Sequence, residues 1–215
     1  MTKTVKLFCI LAISLFVTAN ASAVELLTNG SLEGAGATAP GWDNVSSTFG
    51  TVICDQTFCG TGGAAFTPNF DGDNWAWFGG VAGNEVGSLM QQSITIPAGN
   101  TATLSFWYAK PAASLDPADF LSVSIDSTVV WSDTSDTLVG TNDAYEQQVI
   151  DVSSFSDGGT HVLSFESEIF GAGGAVTNFW VDQISLDAVP VPEPNGFALS
   201  LGGLFGMLAL IRRRR

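Results

Sequence analysis

Between residues 24 and 189 there is no apolar periodicity long enough for a helix of three turns. Short alternating or β-branched runs follow one another instead, separated by Gly, Asn, Asp and Pro. That pattern limits the segment to strands and turns. In residues 101–108, Leu104, Phe106 and Tyr108 share one face and Thr103, Ser105 and Trp107 the other, because strand side chains alternate with period two. Leu121, Val123 and Ile125 alternate with Ser122 and Ser124, and a turn at Asp126-Ser127 leads to Val129-Val130-Trp131. Residues 91–96, 146–152, 161–166 and 178–186 are further strands, and 97–100 and 156–159 carry turn chemistry. The spacing predicts an all-β domain, an antiparallel β-sandwich.

Charge is distributed very unevenly. Of seven Lys and Arg, only Lys110 lies between residues 24 and 189, whereas 20 of the 21 acids do. Nucleic-acid binding is excluded, since neutralising phosphates needs a basic patch. Docking on anionic lipid is disfavoured for the same reason. Carboxylate oxygens are hard ligands, so a divalent cation such as calcium is the natural counter-ion, against the plainer reading of a solvated acidic surface.

The two ends are of another kind. Residues 1–23 have a basic start at Lys3 and Lys6, an apolar stretch over 7–17 and the small-x-small sequence Ala21-Ser22-Ala23, which reads as a secretory signal peptide. Cys9 leaves with it. Cys54 and Cys59 then remain in an exported segment, where a disulfide is the default. At the other end, Pro192-Glu193-Pro194 precedes an uncharged apolar run over 197–211 and the cluster Arg212, Arg213, Arg214 and Arg215. The prolines hold their segment extended. The arginines stop transfer and stay cytoplasmic, tethering the chain to the inner membrane in transit.

This three-part order over residues 190–215 closely resembles the PEP-CTERM sorting signal of Gram-negative bacteria. The resemblance implies recognition by an exosortase at Pro192, Glu193 and Pro194, removal of the tail, and export to the cell surface or the extracellular matrix. An ordinary tail anchor is the alternative. The apolar run is short for one: 15 residues rise only ~22 Å at ~1.5 Å each, against ~30 Å of hydrocarbon.

Within residues 24–189, Asn29-Gly-Ser-Leu-Glu33-Gly followed by Gly41-Trp42 resembles the opening of jelly-roll carbohydrate-binding modules. Phe179-Trp-Val-Asp182-Gln-Ile-Ser-Leu186 resembles their closing strand. Leu32 stands where Phe is usual. The resemblance implies a structural calcium held by Glu33 and Asp182. If Trp180, Ile184 and Leu186 face the core, Asp182 shares their face and needs a cation, because an unpaired buried carboxylate is costly. A bulge that turns Asp182 outward is the competing arrangement.

No catalytic constellation is visible. One histidine, His161, rules out His-Glu-x-x-His zinc chemistry, no Gly-x-Ser-x-Gly elbow occurs, and nothing singles out a carboxylate pair. Trp75 and Trp77, in Asp71-Gly-Asp-Asn-Trp-Ala-Trp-Phe-Gly-Gly80, share one face if extended. They form either a sugar-stacking platform or part of the core. The expectation is an exported surface or matrix protein with a non-catalytic, polysaccharide-binding sandwich. A structural envelope protein without a ligand comes second, and a glycan-active enzyme third.

Overall fold

A computed structural model describes residues 22–60, 68–114, 118–136, 145–171 and 176–191. Two antiparallel sheets account for nearly all of them. The first has the order β3 (Ile53–Asp55), β4 (Asn74–Gly79), β11 (Asn178–Pro190), β6 (Asn100–Ala112), β9 (Glu146–Asp151), with β1 (Val24–Glu25) also paired to β11. The second runs β2 (Asp43–Ser46), β5 (Glu85–Thr95), β10 (Thr160–Ile169), β7 (Phe120–Ile125), β8 (Thr128–Thr134). The antiparallel sandwich read from the alternation is the architecture found. The leader, Pro192-Glu193-Pro194, the apolar run and the four terminal arginines lie outside the described residues.

The main core lies between the sheets. Leu104, Phe106 and Tyr108 of β6 meet Leu121 and Val123 of β7, Leu163 and Phe165 of β10, and Phe179, Val181, Ile184 and Leu186 of β11. Aromatic edges fill it: Phe106 packs edge-on against Trp131 and Phe165, with centroids 5.3 Å apart in each pair. Asp126 (φ 50°) and Ser127 (φ 65°) form the turn between β7 and β8. Both take a left-handed conformation, the geometry a two-residue hairpin requires.

Lys110, the one Lys or Arg between residues 24 and 189, is completely buried. Its Nζ donates to Asp133 Oδ2 at 2.9 Å and to the carbonyl of Thr134, joining β6 of one sheet to β8 of the other. The Tyr108 hydroxyl donates to the same carboxylate oxygen at 2.8 Å. Burial, and after it the charge of Asp133, pushes the Tyr108 hydroxyl far above its ordinary range.

The strand of Asp182 has a bulge, the arrangement that competed in the sequence reading, but the bulge does not turn Asp182 out to solvent. Asp182 pairs with Trp107 and Ser185 with Ser105, so β11 carries one residue more than β6 across that step. Gln183, at φ 48°, makes this a β-bulge. Side-chain direction therefore reverses. Ile184 and Leu186 enter the main core, while Trp180 belongs to a second cluster with Trp75, on the opposite face of the sheet. Asp182 does not share a face with Ile184 and Leu186. It is still completely buried.

Candidate functional site

Two local constructions stand on that second face. The first surrounds Asp182 and is built by the opening motif. Asn29 (φ 55°) receives Glu33 N–H on its Oδ1 at 3.0 Å and donates from Nδ2 to the Glu33 carbonyl at 2.9 Å. Its own carbonyl accepts Trp42 Nε1–H at 2.9 Å. Gly30 lies against the closing strand: its carbonyl accepts Ile184 N–H at 2.7 Å, and a Cβ there would stand 1.8 Å from the Ile184 carbonyl oxygen. First and last segments are thus locked together, and Glu33 is aimed at residues 72–74. Glu33 Oε1 accepts Asp73 N–H at 3.0 Å and Asn74 N–H at 3.1 Å. A Cβ on Gly72 would come within 2.1 Å of that oxygen.

Asp182 holds the same loop from the other side. Its Oδ2 accepts the N–H groups of Phe70 (2.8 Å) and Asp71 (3.1 Å), and its Oδ1 that of Gln183 (2.6 Å). The Phe70 ring then stacks on Trp107, centroids 4.0 Å apart and planes 15° from parallel. Loop 68–74 therefore covers Asp182, and burial raises its carboxyl to about 7. The three N–H groups pull it down and the charge of Glu33 pushes it up again. Glu33 and Asp182, expected as calcium ligands, each accept backbone N–H groups of loop 68–74. Both carboxylates grip one loop, and Lys110, the one Lys or Arg between residues 24 and 189, is held elsewhere by Asp133. Among the described residues no three His, Cys, Asp or Glu side chains converge as a metal-binding group.

The second construction is a groove at the edge of the first sheet. Asp55 caps the single-turn helix α1 (Gln56–Cys59), its Oδ1 accepting Phe58 N–H at 2.6 Å. Cys54 and Cys59 are disulfide-bonded across that turn, as expected of the two cysteines left in an exported segment, with Cα atoms 5.6 Å apart. The turn carries Phe58 outward, 59% exposed, and Phe49 of the β2–β3 connection is 51% exposed. Together with Trp77, the disulfide, Thr51 and Gly79-Gly80 they line a cavity of about 380 Å³. Trp77 is half-buried, and its Nε1–H donates to Asn178 Oδ1 at 3.0 Å, which fixes the ring. Its inner edge meets Trp180, with centroids 5.8 Å apart.

Trp75 and Trp77 do share one face of β4, but their environments differ. Trp75 is wholly buried beside Cys54, Tyr145 and Trp180 and offers no ring face to solvent. Trp77 lines the groove. Phe49 and Phe58 were not anticipated from the sequence. The signal that marks them is the absence of charge around them: from Asn44 to Phe70 the only charged residue is Asp55, and residues 74–84 have none. His161 sits elsewhere, Nδ1 2.6 Å from Asp126 Oδ2 and Nε2 3.2 Å from Asp157 Oδ1.

No protein-family model matches the chain, and no curated protein does either. Among solved structures the chain is similar to TmCBM61, solved in complex with β-1,4-galactotriose: TM-score 0.51, 13% identity, covering 76% of this chain and 97% of that one. It is similar as well to the apo form of a cyclase from Fischerella sp.: TM-score 0.50, 15% identity, covering 80% of this chain and 98% of that one. At such identities the likeness establishes the fold, a β-sandwich shared with a carbohydrate-binding module and with a cyclase.

Proposed function

We propose that residues 24–189 form a non-catalytic glycan-binding domain whose ligand lies in the groove of Phe49, Phe58 and Trp77. The carrying observation is this set of partly exposed aromatic rings around one cavity of about 380 Å³, one of them held in place by Asn178. Aromatic faces stack beneath the apolar face of a sugar ring, and cavities of this size suit a short oligosaccharide segment. The likeness to a carbohydrate-binding module supports the reading at the level of fold.

Calcium belongs to the proposal as a structural ion. Glu33 and Asp182 would hold it, since both are hard oxygen donors beside one loop and neither has a basic side chain as partner. Bound there, it would supply the positive charge that a buried carboxylate lacks. The remaining ligands would be carbonyl or amide oxygens, which calcium accepts.

Delivery is the third part. The signal peptide over 1–23 and the tail over 190–215 support export and handling by an exosortase, with transient tethering in the inner membrane and final placement at the cell surface or in the extracellular matrix of a Gram-negative bacterium. Screening the full chain and its Phe58→Ala and Trp77→Ala variants on a glycan array tests the binding. We expect wild type to retain a defined set of glycans, and each variant to lose at least about tenfold in affinity while its melting transition persists. Wild-type binding that both variants leave unchanged would remove the groove from the account.

A further inference from the structure

Resting on the glycan-binding reading, we propose that the groove selects uncharged glycans and rejects those bearing uronic acid, sulfate or phosphate groups. Three observations converge on this. Among the described residues, the groove is lined by no cationic side chain that could pair with an anion. Its side chains are Phe49, Phe58, Trp77, Thr51 and the Cys54–Cys59 disulfide. The Thr51 hydroxyl is already occupied, donating to Asn44 Oδ1 at 2.6 Å and accepting Ile53 N–H at 2.9 Å. Asp55, the one charge in that stretch of sequence, is turned to capping Phe58 N–H.

The second observation is where the basic groups of the domain are. Lys110 is the only Lys or Arg between residues 24 and 189, and it is wholly buried against Asp133. His161 has a carboxylate at each ring nitrogen, Asp126 at 2.6 Å and Asp157 at 3.2 Å. No basic side chain of the domain is left to meet a carboxylated sugar.

Third, the 20 acidic residues of this segment stand against a single Lys, and the carboxylate of one of them, Glu85, accepts from the Ser46 and Ser47 hydroxyls and from Thr48 N–H, just before Phe49. An anionic polymer approaching the groove crosses the negative field of the whole domain, and like-charge juxtaposition is how interfaces exclude wrong partners. A neutral chain feels none of this and is held by ring stacking alone. The aromatic rings admit the sugar, and the acidic excess discriminates against charge.

The same glycan array, carrying neutral oligosaccharides beside their uronic acid counterparts, distinguishes this proposal from the reading beneath it. At ~20 mM salt we expect matched neutral oligosaccharides to bind at least about tenfold tighter than the uronates. The gap should narrow towards ~0.5 M salt as screening shortens the range of the repulsion. Affinity for the neutral set should not change with salt. Gln56→Lys, at the exposed first residue of α1, should raise uronate binding at low salt and leave neutral binding within about twofold. Uronates bound as tightly as neutral glycans at ~20 mM salt would overturn the selectivity while leaving glycan binding in place. An array with no bound glycan would overturn both.

Discussion

At the scale of single residues, the most consequential group is Asp182. Its folded pKa of about 7 lies well above the ordinary value of 3.8, because loop 68–74 shuts it away from water. Between those values the folded chain holds a proton that the unfolded chain has released. Stability therefore falls as pH rises from about 4 to about 7 and stays lowered above, by on the order of 4 kcal/mol for a shift of that size. Chelator-treated protein should melt at a higher temperature at pH 5 than at pH 8, and Asp182→Asn should remove most of the difference. Added calcium should flatten the dependence from the alkaline side, contributing ~2.7 kcal/mol at ~100 times its dissociation constant. A chelated protein that melts higher at pH 8 would contradict the buried-carboxylate account.

His161 acts in the same direction and must be separated from this. Burial opposes its charge, but Asp126 and Asp157 outweigh burial and raise its pKa. That stabilisation is full below about 6.5 and disappears as pH passes the raised folded value. His161→Gln is the control. Trp75 and Trp77 then divide in consequence. Trp75→Ala empties a buried site and should cost ~3–5 kcal/mol in denaturant unfolding, while Trp77→Ala should act mainly on ligand affinity.

Among elements, α1 is the one that cannot stand alone. A single turn lies far below the length at which a helix is stable in water, so its position depends on the Asp55 cap and on the Cys54–Cys59 disulfide. By chain entropy a loop this short contributes about 2 kcal/mol when closed. Cys54→Ser with Cys59→Ser should lower unfolding stability by about that amount and weaken glycan binding, since Phe58 rides on the released turn. Retained affinity in a destabilised double variant would show that Phe58 does not bind ligand. The bulge in β11 is the other decisive element. In Trp180-Val-Asp182-Gln-Ile184 only the cost of burying a carboxylate pointed to a bulge, while period-two alternation carried through the segment puts Asp182 on the face of Ile184 and Leu186. The strands themselves were readable, because Leu104, Phe106 and Tyr108, or Leu121, Val123 and Ile125, alternate without interruption. The short β1, β2 and β3 were not, for two to four residues hold too few alternations to count.

For the molecule as a whole, the expectation with most at stake is the route the chain takes. Replacing Pro192-Glu193-Pro194 with three alanines should leave the protein unprocessed and held in the inner membrane. Alanine restores helix propensity, so the proposed membrane helix over 197–211 would extend through the segment that the proposed sorting enzyme grips. Deleting residues 197–215 should release the protein into the periplasm. Fractionation with intact mass of both variants beside wild type checks this. Wild type recovered intact to Arg215 and still membrane-embedded, in a host with an active exosortase, would favour the plain tail anchor.

The amino-acid order alone settles what depends on neighbours within one strand or one turn. Alternation sets the β class, the spacing of Cys54 and Cys59 permits their bond, and the count of charges leaves Lys110 as the one cation. It could not say that Lys110 is buried between the sheets, or that Asp182 is covered by a loop 110 residues earlier in the chain. Nor could it bring Phe49, Phe58 and Trp77 around one groove. Those outcomes depend on which segments a sandwich lays side by side, and contacts such as Lys110 with Asp133, 23 residues apart, or Phe70 with Asp182, 112 apart, leave no local period to read. Tertiary structure decided them, because burial and approach belong to the packed chain and not to any stretch of it.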